Sequence, residues 1–242
     1  MDFTIEQNKT DGAVPSKPLP RILPFATYLA FLALAEGFLL LTKFIPSLAA
    51  WWVETNLWLY PVKITAVIGC LAYFWPRYTE LKGQAFGRKM DVVLSVTIGV
   101  LVYLAWVRMD WSWATMGKAA GYDPFRVGKV AGPILAGIRL FGTVIVVPVM
   151  EELFWRSFLI RYVISPKFES VPLGAFTTGS FLVTAVLFGS EHHLWLAGIA
   201  AGIAYNLLLY RTGRLWPCIF AHGITNLILG MHVIITGEWH WW

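Results

Sequence analysis

Seven stretches of this chain, near 22–45, 57–76, 90–108, 133–150, 172–190, 194–210 and 216–235, are mainly apolar. Most approach the roughly 20 residues that a helix needs to cross a bilayer. The expectation is an all-α, polytopic transmembrane helix bundle of about seven to eight spans. The eighth arises because the run from Pro133 to Ile164, as one helix at ~1.5 Å per residue, would measure roughly 48 Å. Pro148 would kink or break such a helix. Composition agrees. Hydrophobic residues make up 57% and charged residues 14% of 242 residues, too much apolar surface to hide in a soluble core of this length. Thirteen Trp suit a chain that meets two bilayer interfaces, and the ending Glu238-Trp239-His240-Trp241-Trp242 reads as an interfacial anchor.

Basic residues set the orientation. Arg77, Lys82, Arg88 and Lys89 cluster between the second and third spans, and Arg161, Lys167, Arg211 and Arg214 fall on the same side, which is therefore expected to be cytoplasmic. Lys118, Arg126 and Lys129 dissent in the loop 109–131. The N-terminus is then inside and, with seven spans, the C-terminus outside. Residues 1–20, polar and Pro-rich, read as a disordered cytoplasmic tail. Residues 21–242 read as one domain without internal repeats. The first apolar run is too long for a signal h-region. The net charge of +5 follows from these loops and not from a basic stripe interleaved with aromatics, so no nucleic-acid partner is expected. Cys70 and Cys218 stand alone in apolar segments and form neither a disulfide framework nor a zinc-ribbon spacing.

Ionisable groups at bilayer depth are expensive and mark pairs, pathways or sites. In the first half these are Glu36 and Lys63, read as a pair or as a snorkelling lysine beside an inward glutamate. The second half holds three clusters on three apolar segments: Glu151-Glu152 with Arg156, Phe188 with His192, and His222 with Asn226. Residues four apart share a helix face. Glu152 and Arg156 can thus pair within their helix, while Glu151, rotated by ~100°, has no local counterion. His222 and Asn226 lie side by side, both able to donate hydrogen bonds.

These groups suit attack of water on a peptide carbonyl. Glu151 can act as general base, His192 can hold and polarise the water, and His222 with Asn226 can donate to the developing oxyanion. Glu152 and Arg156 would support the site's orientation. His193 lacks the FxxxH spacing, Glu191 reads as a solvated helix-end residue, and His232 and His240 read as interfacial bystanders. Asn206 reads as an interhelical hydrogen-bond residue.

The order EExxxR, FxxxH, HxxxN resembles the CPBP family, the CAAX proteases and bacteriocin-processing enzymes, also called the abortive-infection family, which includes the type II CAAX prenyl endopeptidases. The likeness covers about residues 133–235. The chain is also similar to a bacterial branch associated with exosortase protein-sorting systems. The resemblance implies a metal-free, cofactor-free intramembrane endopeptidase, placed in a bacterial inner membrane, that acts on a membrane-associated protein or peptide. It assigns Glu151 and His192 to water activation and His222 and Asn226 to the oxyanion, with Glu152, Arg156 and Phe188 in support. One departure stands out: the family has Gly after the arginine, and this chain has Ser157. Three other readings stay open. A His₂Glu zinc site of Glu151, His192 and His222 would make a metalloprotease, although HExxH is absent. A polar cluster that merely glues helices would make an inactive scaffold or immunity-type protein. A transporter would show broken helices repeated in two halves of the chain.

Overall fold

Prolines open the first helix, where a missing N–H costs nothing because the first turn has no acceptor for it. The computed structural model describes residues 18–117 and 121–242. Most of the expected tail, and Lys118, therefore lie outside the described residues. Helix α1 (Leu19–Phe44) starts directly after Pro18. Only Ile45 and Pro46 separate it from α2 (Ser47–Phe74), so the loop expected at 46–56 is helix instead. Helix α3 (Lys89–Trp106) starts where the Asp91 carboxylate accepts hydrogen bonds from the Gly87 and Arg88 N–H groups, at 3.0 and 2.9 Å.

Helix α4 (Ala131–Ile164) runs 34 residues without a break. Pro148 does not divide it; two π-helical stretches, Gly142–Val146 and Leu153–Leu159, absorb the irregularity on either side. Helix α5 (Thr178–Ser190) is capped by Thr177, whose Oγ1 accepts from the Ser180 N–H. Helix α6 (Trp195–Thr212) ends at Gly213, with φ of 62°, a left-handed turn that favours glycine. Helix α7 (Leu215–Thr236) completes the bundle. No strand occurs among the described residues.

Helices α1, α2, α3, α4 and α7 are long and apolar enough to cross a membrane; α5, with 13 residues, is not. Helix α4 is the central element. It packs against α1, α2, α5 and α7, while α3 lies along α7 and α5 along α6. Its Leu135, Met150 and Leu153 are fully buried. The α5–α6 pair is joined across its interior by Asn206, whose amide donates to Thr184 Oγ1 at 2.9 Å, the interhelical role expected of it.

Candidate active site

Helix α4 carries the first cluster at the start of its second π-helical stretch. Glu152, wholly buried, accepts from Arg156 Nη1 at 3.1 Å, the i,i+4 pair expected from the spacing. The Arg156 guanidinium lies over the Phe188 ring at 4.4 Å and reaches the Gly202 carbonyl at 3.5 Å. Phe188 thereby covers the ion pair with apolar surface. Glu151 points elsewhere. Its Oε2 is buried and has no hydrogen-bond partner among the described residues.

Helix α7 supplies the third cluster. His222 Nδ1 lies 3.0 Å from Glu152 Oε1, an acceptor, so Nδ1 carries the proton. Its Nε2 faces Glu151 Oε2 at 4.0 Å, a separation that one water can bridge. The second glutamate therefore holds both Arg156 and His222, and the first is left facing the imidazole edge. Asn226 gives one N–H to the Thr143 carbonyl at 2.7 Å and keeps the other. That carbonyl is free for a reason written in the sequence. The Val147 N–H closes a π turn onto Gly142, and the next residue that could reach Thr143 is Pro148, which has no N–H. One residue on, Gly223 brings the α7 backbone against the Val144 carbonyl: a Cβ at Gly223 would lie 2.9 Å from that oxygen.

His192 reaches the same place because α5 is short. At 1.5 Å per residue, 13 residues make about 20 Å, less than the ~30 Å hydrocarbon core. The chain turns through Glu191–Leu194 and returns as α6. Gly189 and Gly198 bring the two backbones into contact there; a Cβ on Gly198 would sit 2.9 Å from Gly189 Cα. Such a turn inside the bundle reconciles a histidine at the end of one apolar segment with one six residues into another. The His192 Nδ1 bonds to the Phe188 carbonyl at 2.7 Å, which leaves Nε2 as an acceptor. The Trp106 ring meets the imidazole edge to face at 5.2 Å.

One cavity of about 250 Å³ is lined by Glu151, Phe188, His192, His222 and Asn226, together with Tyr28 and Trp106 from the first half of the chain. All four residues singled out for chemistry thus share one space. Glu152 and Arg156 lie behind its wall. Two further residues belong here that spacing alone did not reveal. Thr143 anchors Asn226. Glu191, read as a solvated helix end, is exposed as expected, yet its carboxylate also accepts from Trp155 Nε1 at 3.1 Å. Ligand-type atoms of Glu151, Glu191 and His192 lie within 4.8 Å of one another. Among the described residues this group, and not Glu151, His192 and His222, has the grouping that can hold a metal ion. His193 turns away and binds the Met116 carbonyl. His232 is held by Tyr103 and Glu238.

Ser157, the departure from the family pattern, also has a place in the packing. Its Oγ contacts the Glu80 carboxylate and accepts from Arg161 Nη2 at 2.8 Å. The hydroxyl ties the end of α4 to the turn that follows α2.

Fold and site together define an α-helical membrane protein with a buried acid–imidazole–amide site drawn from α4, α7 and the α5–α6 turn. Residues 133–228, which carry all three motifs, match the family model described as type II CAAX prenyl endopeptidase Rce1-like. No curated protein and no solved structure matches the chain.

Proposed function

We propose that the chain is an intramembrane endopeptidase that cleaves a membrane-associated protein or peptide with a glutamate-activated water. The observation that carries this reading is the unpartnered Glu151 Oε2 facing His222 Nε2 at 4.0 Å in a cavity shared with His192 and Asn226. A water between Glu151 and the two imidazole Nε2 atoms meets only acceptors. It donates its protons to them and turns its own lone pairs towards a carbonyl. Glu151 takes a proton as the oxygen attacks and passes it to the amine nitrogen as the C–N bond breaks, which leaves a carboxylic acid and an amine. The free N–H of Asn226 donates to the oxyanion. His222 can donate from Nε2 only as imidazolium, because its Nδ1–H is committed to Glu152. Helices α1, α2, α3, α4 and α7 then serve as spans, with α5 and α6 a re-entrant pair whose turn lies at depth, the N-terminus cytoplasmic and the host membrane a bacterial inner membrane.

A second reading rests on the closeness of Glu191 to Glu151 and His192. Together they offer three acceptors to a divalent ion such as zinc. One experiment separates the two. Purified protein in detergent or lipid is given a panel of membrane-tethered peptides, with Glu151→Gln and His222→Ala alongside, each with and without a strong chelator. Cleavage that survives chelation and is lost in both variants supports the glutamate mechanism. Cleavage lost on chelation and restored by zinc supports the metal site. Activity that ignores both substitutions overturns the assignment, and no cleavage of any peptide favours a scaffold.

A further inference from the structure

A second, larger cavity of about 610 Å³ adjoins the first and shares Tyr28, Trp106, Arg139, His192, Trp241 and Trp242 with it. Its walls hold two cations, Lys63 and Arg139, that form no ion pair among the described residues, although the carboxylates of Glu36, Asp110 and Glu191 line the same cavity. Lys63 is 7% exposed, and its Nζ lies 3.9 Å from the Tyr28 ring centroid and 5.0 Å from that of Tyr60. No hydrogen bond or ion pair reaches that ammonium among the described residues; the expected pairing with Glu36 does not form, although Glu36 lines the same cavity. The Arg139 guanidinium lies over the Tyr60, Tyr122 and Trp242 rings at 4.7, 4.3 and 5.5 Å, and its buried Nε has no acceptor. Both cations thus flank one tyrosine ring.

Aromatic faces offset only part of the cost of withdrawing an ammonium from water. Two like charges side by side in the bundle add to that cost. An anion seated between them removes both penalties, and a guanidinium fork suits an oxyanion with two oxygens. The cavity lies in the volume range of sites that take small ligands, and it opens onto the residues assigned to peptide hydrolysis.

We propose that Lys63 and Arg139 form a subsite for a carboxylate of the peptide substrate, either its free C-terminus or an acidic side chain. The inference rests on the peptidase reading for the identity of the ligand. Its test uses binding alone, so that the two stand or fall separately. Glu151→Gln protein in non-ionic detergent is titrated by calorimetry with four probes: N-octanoyl-glycyl-leucine, its C-terminal amide, N-octanoyl-aspartyl-leucinamide and octyl phosphate. The expected result is that one of the carboxylates binds about tenfold or more tighter than the neutral amide, the scale of a charge-assisted contact. The tighter of the two names the source of the carboxylate. Lys63→Met and Arg139→Gln, added singly, are expected to collapse that ratio towards one. Equal binding of the acids and the amide overturns the proposal, and this comparison needs neither further variant to fold. Tightest binding by octyl phosphate also overturns it, in favour of a lipid headgroup. A ratio that survives both substitutions in folded protein shows that the carboxylate sits elsewhere.

Discussion

Glu152 accepts from His222 Nδ1 at 3.0 Å and from Arg156 Nη1 at 3.1 Å through the same oxygen, while its neighbour Glu151 accepts from no described residue. The two adjacent carboxylates should therefore respond oppositely to the same isosteric change. Glu152→Gln leaves a buried guanidinium without its counter-charge, a loss of about 3–5 kcal/mol, and activity falls with stability. Glu151→Gln removes a buried carboxylate that has no partner, so thermal stability holds or rises while cleavage falls by about 10²–10⁴-fold. Unfolding midpoints in detergent, measured beside peptide cleavage, check the contrast. Equal destabilisation by the two changes would contradict it.

The α5–α6 turn makes a second prediction. Gly198→Ala places a Cβ 2.9 Å from Gly189 Cα and 3.3 Å from the Cβ of His192. Backbone cannot yield as a flexible side chain would, so the turn must open. Overpacking of this kind costs about 1–3 kcal/mol, and His192 moves with it. Cleavage should fall further than in Asn206→Ala, which breaks an α5–α6 hydrogen bond at Thr184 and Phe181 without touching the cavity wall. Side-by-side kcat values for the two variants decide this.

Pro148 leads to a third. Pro148→Ala restores an N–H near the Thr143 carbonyl, which competes with Asn226 for that acceptor. The helix gains a hydrogen bond, so stability is unchanged or higher, yet the oxyanion donor loses its fixed position. A misplaced donor costs about 10²-fold in rate. The measurement is kcat beside the unfolding midpoint. A variant that is both stable and fully active would show that Asn226 needs no such anchor.

What the sequence disclosed and what it hid divide along physical lines. The Glu152–Arg156 pair and the shared face of His222 and Asn226 follow from helical periodicity, which survives in the structure. The grouping of three motifs in one cavity follows from the cost of charge in hydrocarbon. The Thr143 carbonyl was not legible, because it depends on a π turn that shifts the hydrogen-bond register, and Pro148 pointed as readily to a broken helix. Glu191 is exposed, as its place at a helix end suggests, but its contact with the Trp155 indole is set by a turn and not by helix phase, so spacing did not disclose it. The contribution of Tyr28 and Trp106 carries no motif at all; only packing brings α1 and α3 to the site.

The opposite end of the bundle supplies a test by acid. Arg21, 3% exposed, binds Glu80 through Nε at 2.8 Å and through Nη2 at 2.9 Å, and Ser157 adds its hydroxyl to the same carboxylate. Burial pushes the Glu80 carboxyl up, but the Arg21 hydrogen bonds and charge, with Ser157, outweigh it and hold the group below the ordinary carboxylate range. A group with a depressed folded value contributes stability that is fully present above its unfolded value and is lost as pH falls through the folded one. The unfolding midpoint of the wild type should therefore fall as pH drops from about 5 to 3. In Arg21→Gln only burial and the weaker contacts remain, the folded value rises above the unfolded one, and the sign inverts: the charged carboxylate is then a burden that protonation relieves. That variant should be less stable at neutral pH and should lose less, or recover stability, over the same acid window. Parallel pH dependences in the two proteins would show that the Arg21–Glu80 contact does not govern how α1 is held to the turn after α2.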